Sequence, residues 1–144
     1  VDRIHHQPDH PEWVGMNHPK NPRHFSFEFG GVDLGHTWLE GLFTYHFLTG
    51  EPRARAAAVG IADYLVRRLG RGIKGNPRQF GWPALALAAA YEATGEARYR
   101  DAAIEYAQLG IRAHPVPGKV GKDWKLGILA EGVSYAHAVG GGEA

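Results

Sequence analysis

The chain has 144 residues, enough for one domain with a real core, and 44% are hydrophobic, as in globular rather than disordered proteins. A balance of 16 Lys and Arg against 15 Asp and Glu leaves a formal charge of +1, so the charge implies neither nucleic acid nor an anionic membrane as a partner. Cysteine is absent, which excludes disulfides and thiolate metal sites within this chain, and no apolar run approaches the roughly 20 residues that cross a membrane.

Residues 1–36 read as a His- and Pro-rich loop arm. Pro8, Pro11, Pro19 and Pro22 recur too often for a helix and push the residues before them toward extended conformations. Histidine crowds here: His5, His6, His10, His18, His24 and His36 belong to this arm. His5, His6 and His10 lack a scaffold that would fix a metal geometry, so no metal site is assigned. Phe25, Phe27 and Phe29 alternate at period two and predict a short extended segment that Gly30-Gly31 ends.

Helices follow. The first is expected over about Thr37–Leu48, with Thr37 and Glu40 as a capping box and Gly50 as the glycine that stops it. Pro52 suits the first turn of a second helix, about Pro52–Leu69, whose stripe is Ala58, Ile61, Ala62, Leu65 and Leu69. A third, about Pro83–Ala93, is apolar nearly all round, the mark of a helix buried on most sides. A fourth, about Ala97–Ala113, is amphipathic again. A fifth, about Lys125–Val139, carries Leu126, Leu129, Ala130, Val133 and Ala136. Loops rich in Gly, Pro and basic residues separate the second from the third and the fourth from the fifth.

These elements repeat. Gly50, Gly95 and Gly140 stand about 45 residues apart, and Leu48-Thr49-Gly50-Glu51 matches Ala93-Thr94-Gly95-Glu96. Each unit is an apolar helix, a tight turn, an amphipathic helix and a long loop. The fold class expected is all-α: an α/α toroid of helical hairpins, present over residues 37–144 as a partial arc of two and a half hairpins. An open α-solenoid is the alternative, but it would expose a face on both helices of each pair. A ring of six pairs needs on the order of 270 residues at this period. The chain is therefore expected to be a piece of a longer parent, whose missing domains are its first partners.

In such a ring the long loops and the N-termini of the apolar helices share one end. That end collects Glu28, Asp33, His36, Asn76, Arg78, Gln79, Trp82, Lys122, Trp124 and Lys125, with His18 and His24 of the arm. Free N–H groups at helix starts suit an anion such as a carboxylate. Tryptophans offer flat faces to sugar rings, or simply plug the bundle end. Asp33, His36 and Glu40 are the catalytic candidates, with His24. Glu40 has the competing role of capping acid, Asp33 of capping a turn through Gly35, and His46 reads as a satisfied core histidine. Arg78, Gln79, Trp82, Trp124, Lys125, Glu28 and His18 are the substrate-binding candidates. Neither a Ser-His-Asp arrangement, a P-loop nor a dinucleotide fingerprint is present.

The stretch Gly31–Gly50, GVDLGHTWLEGLFTYHFLTG, carries D-x-G-H-x-W-x-E-G-L at Asp33–Leu42, and Ala58–Leu65 continues it. In these it resembles the C-terminal α/α toroid of exo-acting rhamnogalacturonan lyases, polysaccharide lyase family 26. The resemblance is specific at Asp33–Gly41 and general elsewhere, and the β-sandwich domains expected of such an enzyme are not in this sequence. It implies β-elimination at a galacturonate of a polysaccharide or oligosaccharide. Arg78, Lys125 or a bound divalent cation would neutralise the C6 carboxylate. His36 or His24 would take the C5 proton, and another histidine or Tyr45 would protonate the leaving oxygen. No sequence site for that cation is identified. The alternatives are a glycoside hydrolase on the same scaffold, with Asp33, Glu40 or Glu131 as acid and base, and a non-catalytic helical-repeat module that binds a glycan or a protein. A partial ring encloses no cleft, so the segment alone is expected to be inactive. The compartment stays open, with a secreted or periplasmic setting favoured.

Overall fold

The computed structural model describes residues 34–115 and 123–141. The arm up to Asp33, the extended segment expected at Phe25–Phe29 and Lys122 lie outside them. The described residues form a short 3-10 turn, Leu34–His36, and the helices α1 (Glu40–Thr49), α2 (Pro52–Leu69), α3 (Arg78–Thr94), α4 (Ala97–Ala113) and α5 (Trp124–Val139). No strand occurs among them. The fold is all-α: an arc of helical hairpins in two layers. Helix α3 packs against α1 and α5 in one layer, and α2 packs against α4 in the other.

Helix α3 is the hub. It touches the 3-10 turn and each of the other described helices, as its all-round apolar sequence predicts. Ala84, Ala86, Leu87, Ala88 and Ala90 are fully buried. Small residues here let backbones approach. A Cβ on Gly132 of α5 would run into the Gly81 carbonyl of α3 and lie 2.8 Å from its Cα. A Cβ on Gly81 would in turn strike the Ile128 carbonyl. Glycine at both positions sets how closely the two helices cross.

The repeat is structural as well as sequential. Gly50 and Gly95 both adopt the left-handed conformation, at φ 73°. The Gly50 and Gly95 amides donate at 2.7 Å to the carbonyls of His46 and Tyr91. Thr49 Oγ1 donates to the Tyr45 carbonyl at 2.6 Å, and Thr94 Oγ1 to the Ala90 carbonyl at 2.7 Å. The same hydroxyls accept from the amides of Glu51 and Glu96 at 3.2 Å. Glu51 then caps α2 by accepting from the Arg53 amide. The third glycine departs from this pattern: Gly140 is right-handed at φ −78° and the left-handed residue is Gly141.

Three boundaries differ from expectation. Helix α1 starts at Glu40, not Thr37, because Thr37 and Leu39 are both fully buried in the link before it. The capping box does not form; instead Glu40 Oε2 reaches back to accept from the Leu39 amide at 3.1 Å. Helix α3 starts at Arg78, so Pro83 is inside it rather than at its first turn. Proline there removes one helical hydrogen bond, offset by burial of Phe80, Gly81 and Pro83. Helix α5 starts one residue early, at Trp124, where Asp123 Oδ1 accepts from the Lys125 amide.

The outer layer is tied by tyrosines. The Tyr99 hydroxyl of α4 donates to Asp63 Oδ1 of α2 at 2.7 Å, and Arg98 bridges the same carboxylate at 3.0 Å. The Tyr106 hydroxyl donates to the Leu65 carbonyl at 3.0 Å. Burial, and for Tyr99 also the Asp63 carboxylate, pushes both phenols above the ordinary tyrosine range. Tyr64 is raised as well, again by burial, against three nearby arginines.

Candidate active site

The 3-10 turn packs on α3 with Leu34 and Gly35 buried, which leaves His36 half-buried beside the first turn of α3. Asn76 Oδ1 accepts from the Arg78 amide at 3.2 Å and anchors that turn. Arg78 Nη1 then lies 3.4 Å from His36 Nε2. The His36 ring meets Trp38 edge-on at 5.9 Å, and Trp38 meets Trp82 edge-on at 5.6 Å. On the other side, the Arg78 guanidinium sits 5.8 Å from the Trp124 ring centre, and Lys125 Nζ sits 5.5 Å from it. Asp123 accepts from Lys125 Nζ at 3.4 Å.

One corner of the arc thus gathers His36, Arg78, Trp82, Trp124 and Lys125, together with Trp38, from three stretches of chain. Trp38 is 50% exposed and Trp124 is 61% exposed, so neither plugs the bundle end. Gln79 follows Arg78 in the same turn and is half-buried. His18, His24, Glu28 and Asp33 lie outside the described residues.

Glu40 belongs to a neighbouring open cavity of about 210 Å³ between α1 and α3. Phe43 and Phe47 line its α1 side, and Glu92 lies on its α3 side. Glu40 Oε1 is buried and has no hydrogen-bond partner among the described residues. Its other oxygen is spent on the Leu39 amide. The carboxylate therefore has both a fixed position and an unused acceptor. Glu92 was not among the sequence candidates. The signal for it was its lone charge in the apolar run of α3, where it takes the place that Phe47 holds one repeat earlier.

Other candidates lie elsewhere. His46 Nδ1 is bonded to the Glu51 carbonyl at 3.0 Å, which makes it part of the turn. Tyr45 is exposed, toward the C-terminal half of α1 and away from the Trp38 corner. Glu131 is exposed on α5. Among the described residues no group of three or more His, Asp or Glu is placed to hold a metal ion, and no helix is long and apolar enough to cross a membrane.

Residues 32–140 match the family model described as β-L-arabinofuranosidase, GH127 catalytic domain. No curated protein and no solved structure gives a significant match.

Proposed function

The chain belongs to the β-L-arabinofuranosidase GH127 catalytic-domain family, and on that premise we propose that it forms part of a glycoside hydrolase releasing an L-arabinofuranosyl residue from a glycan. A carbohydrate-active enzyme domain is what the family establishes. The match covering 109 residues, from 32 to 140, is the observation that carries the reading. It favours the hydrolase alternative over the rhamnogalacturonan lyase expected from the Asp33–Leu42 motif.

Glycoside hydrolysis commonly needs two carboxyl groups about the scissile bond, one to protonate the leaving oxygen and one to act as nucleophile or base. Glu40 supports this requirement best: one of its oxygens is buried with no hydrogen-bond partner among the described residues, and the residue lines an open cavity. Glu92 lines the same cavity and is the partner we assign to it. Asp33 stays a candidate for the same work from the arm. His36 and the exposed tryptophans would hold the sugar. We further propose that residues 37–144 are the arc and that residues 1–36 are the arm leading into it.

The test is release of free L-arabinose from a β-L-arabinofuranosyl disaccharide by the full-length parent and its Glu40→Gln and Glu92→Gln variants. Loss of a catalytic acid or base lowers turnover by roughly 10²–10⁴-fold. Glu40→Gln is expected to fall in that range with its circular dichroism unchanged. Wild-type turnover by both folded variants would remove these carboxylates from the mechanism.

A further inference from the structure

We propose that Phe47 of α1, together with Ala89 and Ala93 of α3, makes the cavity beside Glu40 a seat for one pentose ring, and that Phe47 is the face on which that ring stacks. The inference rests on the hydrolase reading above and adds to it the residues that select the sugar. The residue being released sits in this cavity, and the exposed tryptophans are left to hold the rest of the glycan.

Glu40, Phe43, Thr44 and Phe47 line the cavity from α1 and fall at i, i+3, i+4 and i+7, one face of that helix. Ala89, Glu92 and Ala93 line it from α3 at i, i+3 and i+4. This lining is unsuited to a core, because it carries two carboxylic acids, and unsuited to a plain wet surface, because the Phe47 side chain is 65% exposed. An apolar helix laid over it would strip water from Glu92 and still leave the unpartnered oxygen of Glu40 without a donor. A sugar meets both demands: its hydroxyls donate to carboxyl oxygens, and its C–H side packs on an aromatic face. Phe47 is held ready for that contact. Its ring stacks on the buried Phe43 ring at 6.5 Å and 23°, and the His46 ring stands 5.6 Å from it. His46 is itself tied to the Glu51 carbonyl, so the exposed ring is propped rather than loose. The size fits as well. The cavity's 210 Å³ exceeds the ~150 Å³ that encloses benzene and falls short of the roughly 300 Å³ at which pockets for larger ligands begin. Alanine at 89 and 93 leaves this room, and Thr44 adds a hydroxyl to the wall.

The experiment reads binding apart from turnover. Methyl thio-β-L-arabinofuranoside, whose sulfur link resists hydrolysis, is titrated by calorimetry against the full-length parent and its variants. Phe47→Ala is expected to weaken binding about tenfold, the loss of one aromatic contact with its buried area, and Phe47→Tyr should restore it. Ala89 is half-buried, so Ala89→Leu should fill the cavity and abolish binding while both carboxylates stay in place. Leu48→Ala is the control: Leu48 is more exposed than Phe47 on the same helix but does not line the cavity, and its loss should change nothing. No binding by the wild type, wild-type affinity in both Phe47→Ala and Ala89→Leu, or an equal loss in Leu48→Ala would overturn the seat. L-arabinose release is scored separately. Binding that responds as expected without release counts against the hydrolase reading alone. Release with an unchanged KM in Phe47→Ala and Ala89→Leu counts against the seat alone.

Discussion

Arg78 Nη1 and His36 Nε2 meet at 3.4 Å across 42 residues of chain. Arginine carries only donors, so Nε2 is the acceptor and the imidazole proton is on Nδ1. Nitrogen-detected NMR of the labelled chain should show His36 as the Nδ1–H tautomer. Arg78→Ala should release that preference, whereas Lys125→Gln should leave it in place. An Nε2–H tautomer would contradict the geometry of the corner.

The crossing of α3 and α5 predicts opposite signs for chemically identical substitutions. Gly132→Ala places a methyl against the Gly81 backbone, and overpacking of that kind costs about 1–3 kcal/mol. Gly127, also in α5, has nothing within 4 Å of its would-be Cβ. Gly127→Ala should therefore gain about 0.5–1 kcal/mol from helix propensity. Urea unfolding of the two variants checks both. Similar effects of the two would mean that the helices are not in backbone contact.

The paired turns predict a matched cost. Gly50 and Gly95 share one φ, one amide bond and one threonine clasp. Alanine in the left-handed region costs roughly 1–2 kcal/mol. Gly50→Ala and Gly95→Ala should each lose about that much and differ little from each other by the same unfolding assay. A loss at Gly95 alone would show that the repeat is equivalent in shape but not in energy.

Alkaline titration reads the outer layer. Tyr64, Tyr99 and Tyr106 hold their protons more tightly when folded than a free tyrosine does. The unfolded chain gives them up first, near about pH 10. Stability is thus complete below that pH and declines as pH rises toward the folded values. Ultraviolet difference spectra should show these three of the six tyrosines ionising only as the helical signal is lost. Full ionisation with the helices intact would contradict their burial.

Much of the arc was legible because its signals are local. Glu51-Pro52 and the amphipathic stripes place α2 and α4 at Pro52–Leu69 and Ala97–Ala113, as the structure has them. The T-G-E turns state the period outright. What local signals misplace is the start of each inner helix. Pro83 reads as a first-turn proline, yet packing around Phe80 and Gly81 carries α3 five residues further back. Thr37 reads as a cap, yet the core claims it. The corner was legible as a list of residue types at one end of a ring. Its contacts were not, because His36, Arg78 and Trp124 meet only when three distant stretches are folded together. Glu92 escaped notice for a related reason: it lines the same cavity as Glu40, which no spacing in one helix reveals.

The central claim is that this arc belongs to a hydrolase. Its most direct test is the product that the full-length parent makes from two substrates, a β-L-arabinofuranosyl oligosaccharide and rhamnogalacturonan. Hydrolysis predicts free L-arabinose from the first and no ultraviolet-absorbing C4–C5 unsaturated end from the second. Unsaturated ends with no arabinose would contradict the account and return His36 and Arg78 to the roles of base and carboxylate clamp in a β-elimination.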